Sequence, residues 1–477
     1  MTKVGIIGSG FAGIGVAIEL RRAGVTDVTL LEKAAEMGGV WRENTYPGAA
    51  CDIPSPLYSF SYESNHSWPK RYSGQAEIQE YLRGVAKKYG IDELIRYQTE
   101  VAKAEYDGRW RVTTTDGEKL EFDVLIPAVG QLSRPALPDI SGMDTFQGHM
   151  FHSAHWDHDH DLTGKRVAVI GTGASAIQFV PRIQPLVRTL KLFQRTAPYV
   201  LPKLDRRYRR WHHDLFRRFP RTRLAGRGGI WAVCEVMTKG WIGNHVIAKT
   251  FETLALGLLR LQVRDPELRA KLTPDYPAGC KRILFAADYY PALTKPNVRL
   301  ETTRITEITP RGVRTEDGVE HQVDTIIFGT GFDTRDFLAP MEIRGRDGQD
   351  LRADAWAKGP RAYLGISVPG FPNLFLMYGP NTNLGGGSII YMLERQARYI
   401  TRLVRYLRPG QSLEVRSEVA EKFDEEMQRR LADTVWTSCD SWYRTSTGRV
   451  VSNWPGLVSE YDRRTKTSDR ASYDLRS

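Results

Sequence analysis

Two short apolar runs in this chain each enter a glycine turn directly, and that pairing constrains the fold more than any other feature. Lys3-Val4-Gly5-Ile6-Ile7 leads into Gly8-Ser9-Gly10-Phe11-Ala12-Gly13, and Lys165-Arg166-Val167-Ala168-Val169-Ile170 leads into Gly171-Thr172-Gly173-Ala174-Ser175-Ala176. Among 43 glycines a lone G-x-G-x-x-G means little, so the strand in front of each turn carries the weight. Apolar runs of this length are buried parallel strands. The turn then lets a helix present its first amides, with about half a unit of positive charge, to a pyrophosphate. Residues 13–23 predict that helix and Val28 to Leu31 the next strand. In the second unit the helix from Ala174 passes Pro181 and Pro185 before the strand Leu190 to Phe193, a less regular course.

The second strands end in opposite charges. Glu32 stands 24 residues after Gly8, and Arg195 stands 24 residues after Gly171. A carboxylate there accepts from a free ribose diol, whereas a guanidinium attracts a 2′-phosphate. The expectation is FAD in the first unit and NADPH in the second.

A chain of 477 residues has room for two or three full-sized cores. No uncharged apolar stretch approaches the roughly 18 residues that span a bilayer, and the strand at Val4 leaves no room for a signal peptide, so a cytoplasmic protein is expected. Cys51, Cys234, Cys280 and Cys439 are scattered without a C-x-x-C pair, which argues against a disulfide framework, a zinc site or a redox dithiol. The net charge of +11 is local. Between Lys203 and Arg227 stand one lysine and nine arginines against Asp205 and Asp214. With Tyr208, Trp211, Leu215 and Phe219 on one stripe, the segment reads as a basic amphipathic helix packed by that stripe. Weak attachment to an anionic membrane surface is the alternative, and no nucleic-acid motif accompanies the charge.

An internal repeat sets the organisation. Residues 105–130 and 307–331 each read as a β-meander closing on a buried strand and a small-residue turn. Two dinucleotide-binding units with one inserted into the other follow, an α/β fold of two Rossmann-like domains. Residues 1–145 and 332–477 form the FAD domain, 146–160 the linker, and 161–331 the NADP domain, with a small helical subdomain at 196–275. Gly379 to Gly387 and a helix from near Ser388 supply a third glycine-rich helix start beside the flavin.

The linker carries Phe146-Gln147-Gly148, then His152, then Trp156-Asp157. This resembles, position by position, the fingerprint of flavin-dependent Baeyer-Villiger monooxygenases. Gly38-Gly39-Val40-Trp41, Tyr46-Pro47-Gly48 and Asp52 fit a second signature of that family, and the likeness runs from Val4 to Ser441-Trp442-Tyr443. The resemblance implies an NADPH- and O2-dependent insertion of one oxygen beside a ketone carbonyl through a flavin peroxide. It implies Arg282 as the active-site arginine, a fixed cation for a peroxide and a developing oxyanion. Asp52 orients Arg282, Lys281 joins Arg195 and Thr196 at the 2′-phosphate, and Trp442 covers the nicotinamide side. Val40, Trp41, Tyr58 and Val101 are implied flavin contacts. Five histidines, His149, His152, His155, His158 and His160, crowd the linker. They read as an inter-domain joint, with His152 at its centre or simply packed, and no metal is expected. The competing readings are a nitrogen- or sulfur-oxygenating flavin monooxygenase, an NADPH-dependent reductase or oxidase, and a flavin-binding protein without catalysis.

Overall fold

The computed structural model describes residues 2–477 apart from 66, 335 and 468. Two parallel sheets organise it. The first has the order Ile95–Arg96, Val28–Leu31, Val4–Ile7, Val124–Pro127, with Ile7 paired to Leu31 on one side and Pro127 on the other. The second has the order Val298–Glu301, Thr189–Phe193, Arg166–Ile170, Thr325–Phe328, His149–His152. In each, the strand that enters the glycine turn is central and wholly buried or nearly so, as a run apolar on both faces requires.

The two meanders fold as the repeat predicts. Val101–Tyr106, Trp110–Thr114 and Lys119–Phe122 form one antiparallel ladder, and Ile305–Thr309, Gly312–Thr315 and Glu320–Gln322 the other. The chain is therefore α/β with two Rossmann-type units. Residues 149–152 of the histidine-rich linker form an edge strand of the second sheet.

The first helix is Phe11–Arg22 and packs beside Ile389–Tyr406, whose N-cap is Ser388. Its start depends on Gly13, because a Cβ there would stand 1.9 Å from the Gly8 carbonyl oxygen. In the second unit the helix is Ala176–Ile183, with Pro181 inside it.

Three expectations are corrected. The segment 203–227 is not one helix: Pro202 closes a strand, Arg210–Arg218 and Pro220–Trp241 are separate helices, and Pro220 takes the first position of the second. Its packed stripe is also different, since Tyr208, His212 and Phe216 pack together while Trp211 and Phe219 are exposed by 57% and 52%. Finally, Cys280 and Cys439 form a disulfide across 159 residues of chain. Scattered cysteines gave no local sign of it, because their approach is made by tertiary structure alone.

Candidate functional site

Both glycine turns open onto one cleft of ≈ 1290 Å³ between the sheets. Gly8, Gly10, Phe11, Ala12 and Glu32 line one end, and Gly171, Thr172, Gly173, Ala174, Ser175 and Arg195 the other. Val40, Trp41, Asp52, Tyr58, Val101, Thr196, Lys281, Arg282 and Trp442 also reach it. Gly13 and Ala176 stand behind the wall and serve helix packing: Gly13 lies under the Gly8 carbonyl, and Ala176 is fully buried against Gly329.

At the first end Glu32 is nearly buried. Its Oε2 accepts from the Ser9 backbone N–H at 3.0 Å and from Ser9 Oγ at 2.6 Å, and its Oε1 accepts from Ala34 N–H and from Arg42 Nη1 at 2.9 Å. The carboxylate is thus held rigidly at the strand's end while still facing the cleft. Trp41 Nε1 donates to Tyr58 Oη at 3.0 Å, and Phe11 meets the Tyr58 ring edge-on at 5.5 Å. Burial drives the Tyr58 phenol far above its ordinary value, so it stays neutral.

At the second end Arg195 and Lys281 are neighbouring cations. Lys281 Nζ donates to Thr196 Oγ1 at 3.3 Å and sits over the Tyr276 ring at 4.8 Å. Desolvation first, and repulsion by Arg195 second, hold its ammonium below the ordinary lysine value. Among the described residues neither cation has a carboxylate within ion-pairing distance, which is the electrostatic complement of an anion.

Between the two ends lie Asp52 and Arg282. Arg282 is deep in the molecule yet open to the cleft, which is its access to solvent. Desolvation opposes its charge, but Asp52, with Tyr443, Tyr378 and Cys51, outweighs it and the net direction is upward. Asp52 has two partners that the sequence did not suggest. Lys203 Nζ pairs with its Oδ1 at 3.3 Å, and Gln178 Nε2 donates to the same oxygen at 3.3 Å. Gln178 also accepts from Tyr46 Oη and the Ala50 N–H and donates to the Ala50 carbonyl, so a helix of the second unit grips the loop that bears Asp52. Cys51 beside it is no nucleophile, since burial pushes its thiol up to about 12.

Trp442 lines the cleft with its carbonyl accepting from Thr334 Oγ1 at 3.2 Å, and its ring packs on Tyr443. The disulfide ties Cys280, two residues before Arg282, to the segment that leads to Trp442. His152 is buried outside the cleft wall, its Nδ1 accepting from the Ala154 N–H and its ring edge-on to Phe332 at 6.0 Å. Its neighbours do not assemble a metal site: His149 pairs with Asp157 at 2.8 Å and stacks on His160. Among the described residues no group of three or more His, Cys, Asp or Glu is placed to hold a metal ion.

Residues 5–183 match the family model of pyridine nucleotide-disulphide oxidoreductases. The chain is 44% identical to a Baeyer-Villiger monooxygenase of Pseudomonas aeruginosa, covering 99% of this chain and 91% of that one. It is 43% identical to another from Streptomyces coelicolor, covering 99% and 92%. The chain belongs to the Baeyer-Villiger monooxygenases. Among solved structures this monooxygenase resembles a steroid monooxygenase bound to NADP, with 30% identity, TM-score 0.89 and 99% of each chain covered. It resembles cyclohexanone monooxygenase equally in shape, with 28% identity, TM-score 0.89 and 100% and 99% covered. Cys51 is the one cysteine in the segment that matches the disulphide oxidoreductases, so the match carries nucleotide binding and not a redox dithiol.

Proposed function

We propose that the protein uses NADPH and O2 to insert one oxygen atom beside the carbonyl of a ketone, giving an ester or lactone. FAD would be held at the Glu32 end of the cleft and NADP at the Arg195 end. The residues fit both groups. Gly8, Gly10 and Gly39 line the cleft where the first helix begins, so its first amides would face a pyrophosphate there, and Glu32 presents acceptors to a ribose diol. The paired cations Arg195 and Lys281 suit a phosphate dianion.

When bound, FAD and NADPH supply the redox and oxygen-activating chemistry. The protein supplies position and field. Arg282 stabilises negative charge that develops on the ketone oxygen, because its guanidinium keeps its proton at every working pH. Asp52 orients Arg282 electrostatically and is itself held by Lys203 and Gln178. Tyr58, Trp41, Val40 and Val101 line the cleft where they would wall a bound flavin, and Trp442 lines it where it would shield the nicotinamide side from water. The observation that carries this reading is the guanidinium of Arg282, open to the cleft between the two glycine turns and facing a buried carboxylate.

Residues 1–145 with 332–477 are proposed as the flavin domain, 161–331 as the NADP domain and 146–160 as their linker. The proposed setting is the cytoplasm, where NADPH is available; no helix among the described residues is long and apolar enough to cross a membrane. In the decisive experiment Arg282→Ala is assayed for ester or lactone from a panel of ketones and for sulfoxide from matched sulfides. Product from ketones is expected to vanish while flavin content persists. Undiminished lactone formation overturns the role of Arg282, and oxidation of sulfides alone by the parent overturns the ketone assignment.

A further inference from the structure

The helix Pro220–Trp241 has two unlike sides. Its inner side is anchored by polar contacts. Arg227 Nη1 donates to the carbonyls of Pro56 and Ser59, Thr238 Oγ1 donates to the Gly386 carbonyl, and Glu235 accepts from the Val458 N–H and Ser459 Oγ. The outer side carries no charge at all over four turns: every exposed residue from Thr222 to Val236 is uncharged. Leu224, Val233 and Val236 are exposed by 56%, 59% and 47%. Alanine and glycine fill the space between them. A soluble surface helix ordinarily puts its charges outward, so this one is inverted.

What flanks the apolar face indicates its partner. Arg206, Arg207, Arg209, Arg210, Arg217, Arg218 and Arg221 are exposed just before it, against the exposed carboxylates of Asp205 and Asp214. Trp211, stacked on His212, and Phe219 are exposed among them. Apolar side chains backed by aromatics and arginines are the composition of an interfacial helix, in which the arginines meet lipid phosphates and the apolar face enters the acyl boundary.

We propose that helices Arg210–Arg218 and Pro220–Trp241 form a docking face for an anionic phospholipid surface. The face is independent of the oxygenation chemistry. Its inner contacts on Pro56, Ser59 and Gly386 adjoin the loops that carry Tyr58 and Leu384 to the cleft, so docking would bring the cleft close to the lipid surface.

The test is co-sedimentation of the FAD-loaded protein with vesicles of phosphatidylglycerol or of phosphatidylcholine alone, at low and high salt. Binding is expected to phosphatidylglycerol only, weakened by salt. Arg217→Glu with Arg218→Glu is expected to weaken it at least about tenfold, and Val233→Asp with Val236→Asp to abolish it. Turnover of a water-soluble ketone should stay unchanged in both variants. Leu224→Asp provides a second apolar substitution should the valine pair lose flavin. Equal sedimentation with both lipids, or binding that survives the aspartates, overturns the proposal. So does a protein dimer, seen by analytical ultracentrifugation, that Val233→Asp dissociates, since a second copy would then cover the face. Loss of lipid binding leaves ketone turnover intact, so failure here is separable from failure of the proposed reaction.

Discussion

Removing Arg195 tests whether the second glycine turn reads a phosphate. Arg195 and Lys281 repel each other across a site in which neither is paired with a carboxylate among the described residues. A phosphate monoester carries about 1.5 to 2 negative charges at neutral pH, and a hydrogen bond to a charged group contributes about 1.5–3 kcal/mol. At 1.36 kcal/mol per factor of ten, Arg195→Ala is expected to weaken NADPH by roughly 10- to 150-fold. NADH lacks the phosphate and should bind with nearly the parent affinity. The measurement is the dependence of anaerobic flavin reduction on nucleotide concentration, which separates binding from the hydride step. A pH series adds a sign. In the parent, Arg195 helps hold the Lys281 ammonium below its ordinary value. Without Arg195 that ammonium deprotonates at higher pH, so the alkaline loss of NADPH affinity should move upward. Equal losses for NADPH and NADH, or an intact preference for NADPH, would refute the phosphate-reading role.

Gly13→Ala places a methyl 1.9 Å from the Gly8 carbonyl oxygen and must move backbone, at a cost of about 1–3 kcal/mol; the purified protein should hold little flavin, and full flavin occupancy would contradict this. The ring of His152 is held down at about 4, by burial first and His155 second, against 6.5 when free. The unfolded chain therefore takes up this proton first, and stability should fall by up to about 3 kcal/mol as pH drops from about 6.5 to about 4. His152→Gln should flatten that fall in denaturant titrations, and an unchanged acid slope would show that the ring does not cause it. Cys439→Ser opens a closure of 159 residues, worth about 5 kcal/mol in the chain-entropy account. Strong reductant should bring the parent's unfolding midpoint down to that of the variant, and a parent indifferent to reductant would exclude the bond.

The strand, glycine turn and helix of each unit were legible because they are local: an apolar run, a turn and a charge at fixed spacing. So were the repeated meanders, with their Asp-Gly turns. The partners of Asp52 were not. Lys203 and Gln178 lie 151 and 126 residues away in sequence, and nothing near either marks the approach. Lys203 looked like one more charge in a basic run, yet its side chain, only 13% exposed, turns to Asp52 at the site. The helical stripe was misplaced by phase: reading Trp211 inward ignored that His212 and Phe216 share a face at a spacing of four, which Tyr208, just before the helix, packs against. The disulfide was missed because spacing rules see cysteines close in sequence, whereas Cys280 and Cys439 meet through the fold.

The four bonds of Gln178 have a mechanical consequence. One primary amide uses both its oxygen and its nitrogen on Tyr46, Ala50 and Asp52. It rides on the first helix of the nucleotide unit at the far end of the cleft. A tilt of that unit against the flavin unit would strain all four bonds together and would carry Asp52 with them. The carboxylate facing Arg282 is therefore geared to the angle between the two halves. Any change in that angle would therefore be felt at the charge pair where the ketone is proposed to react.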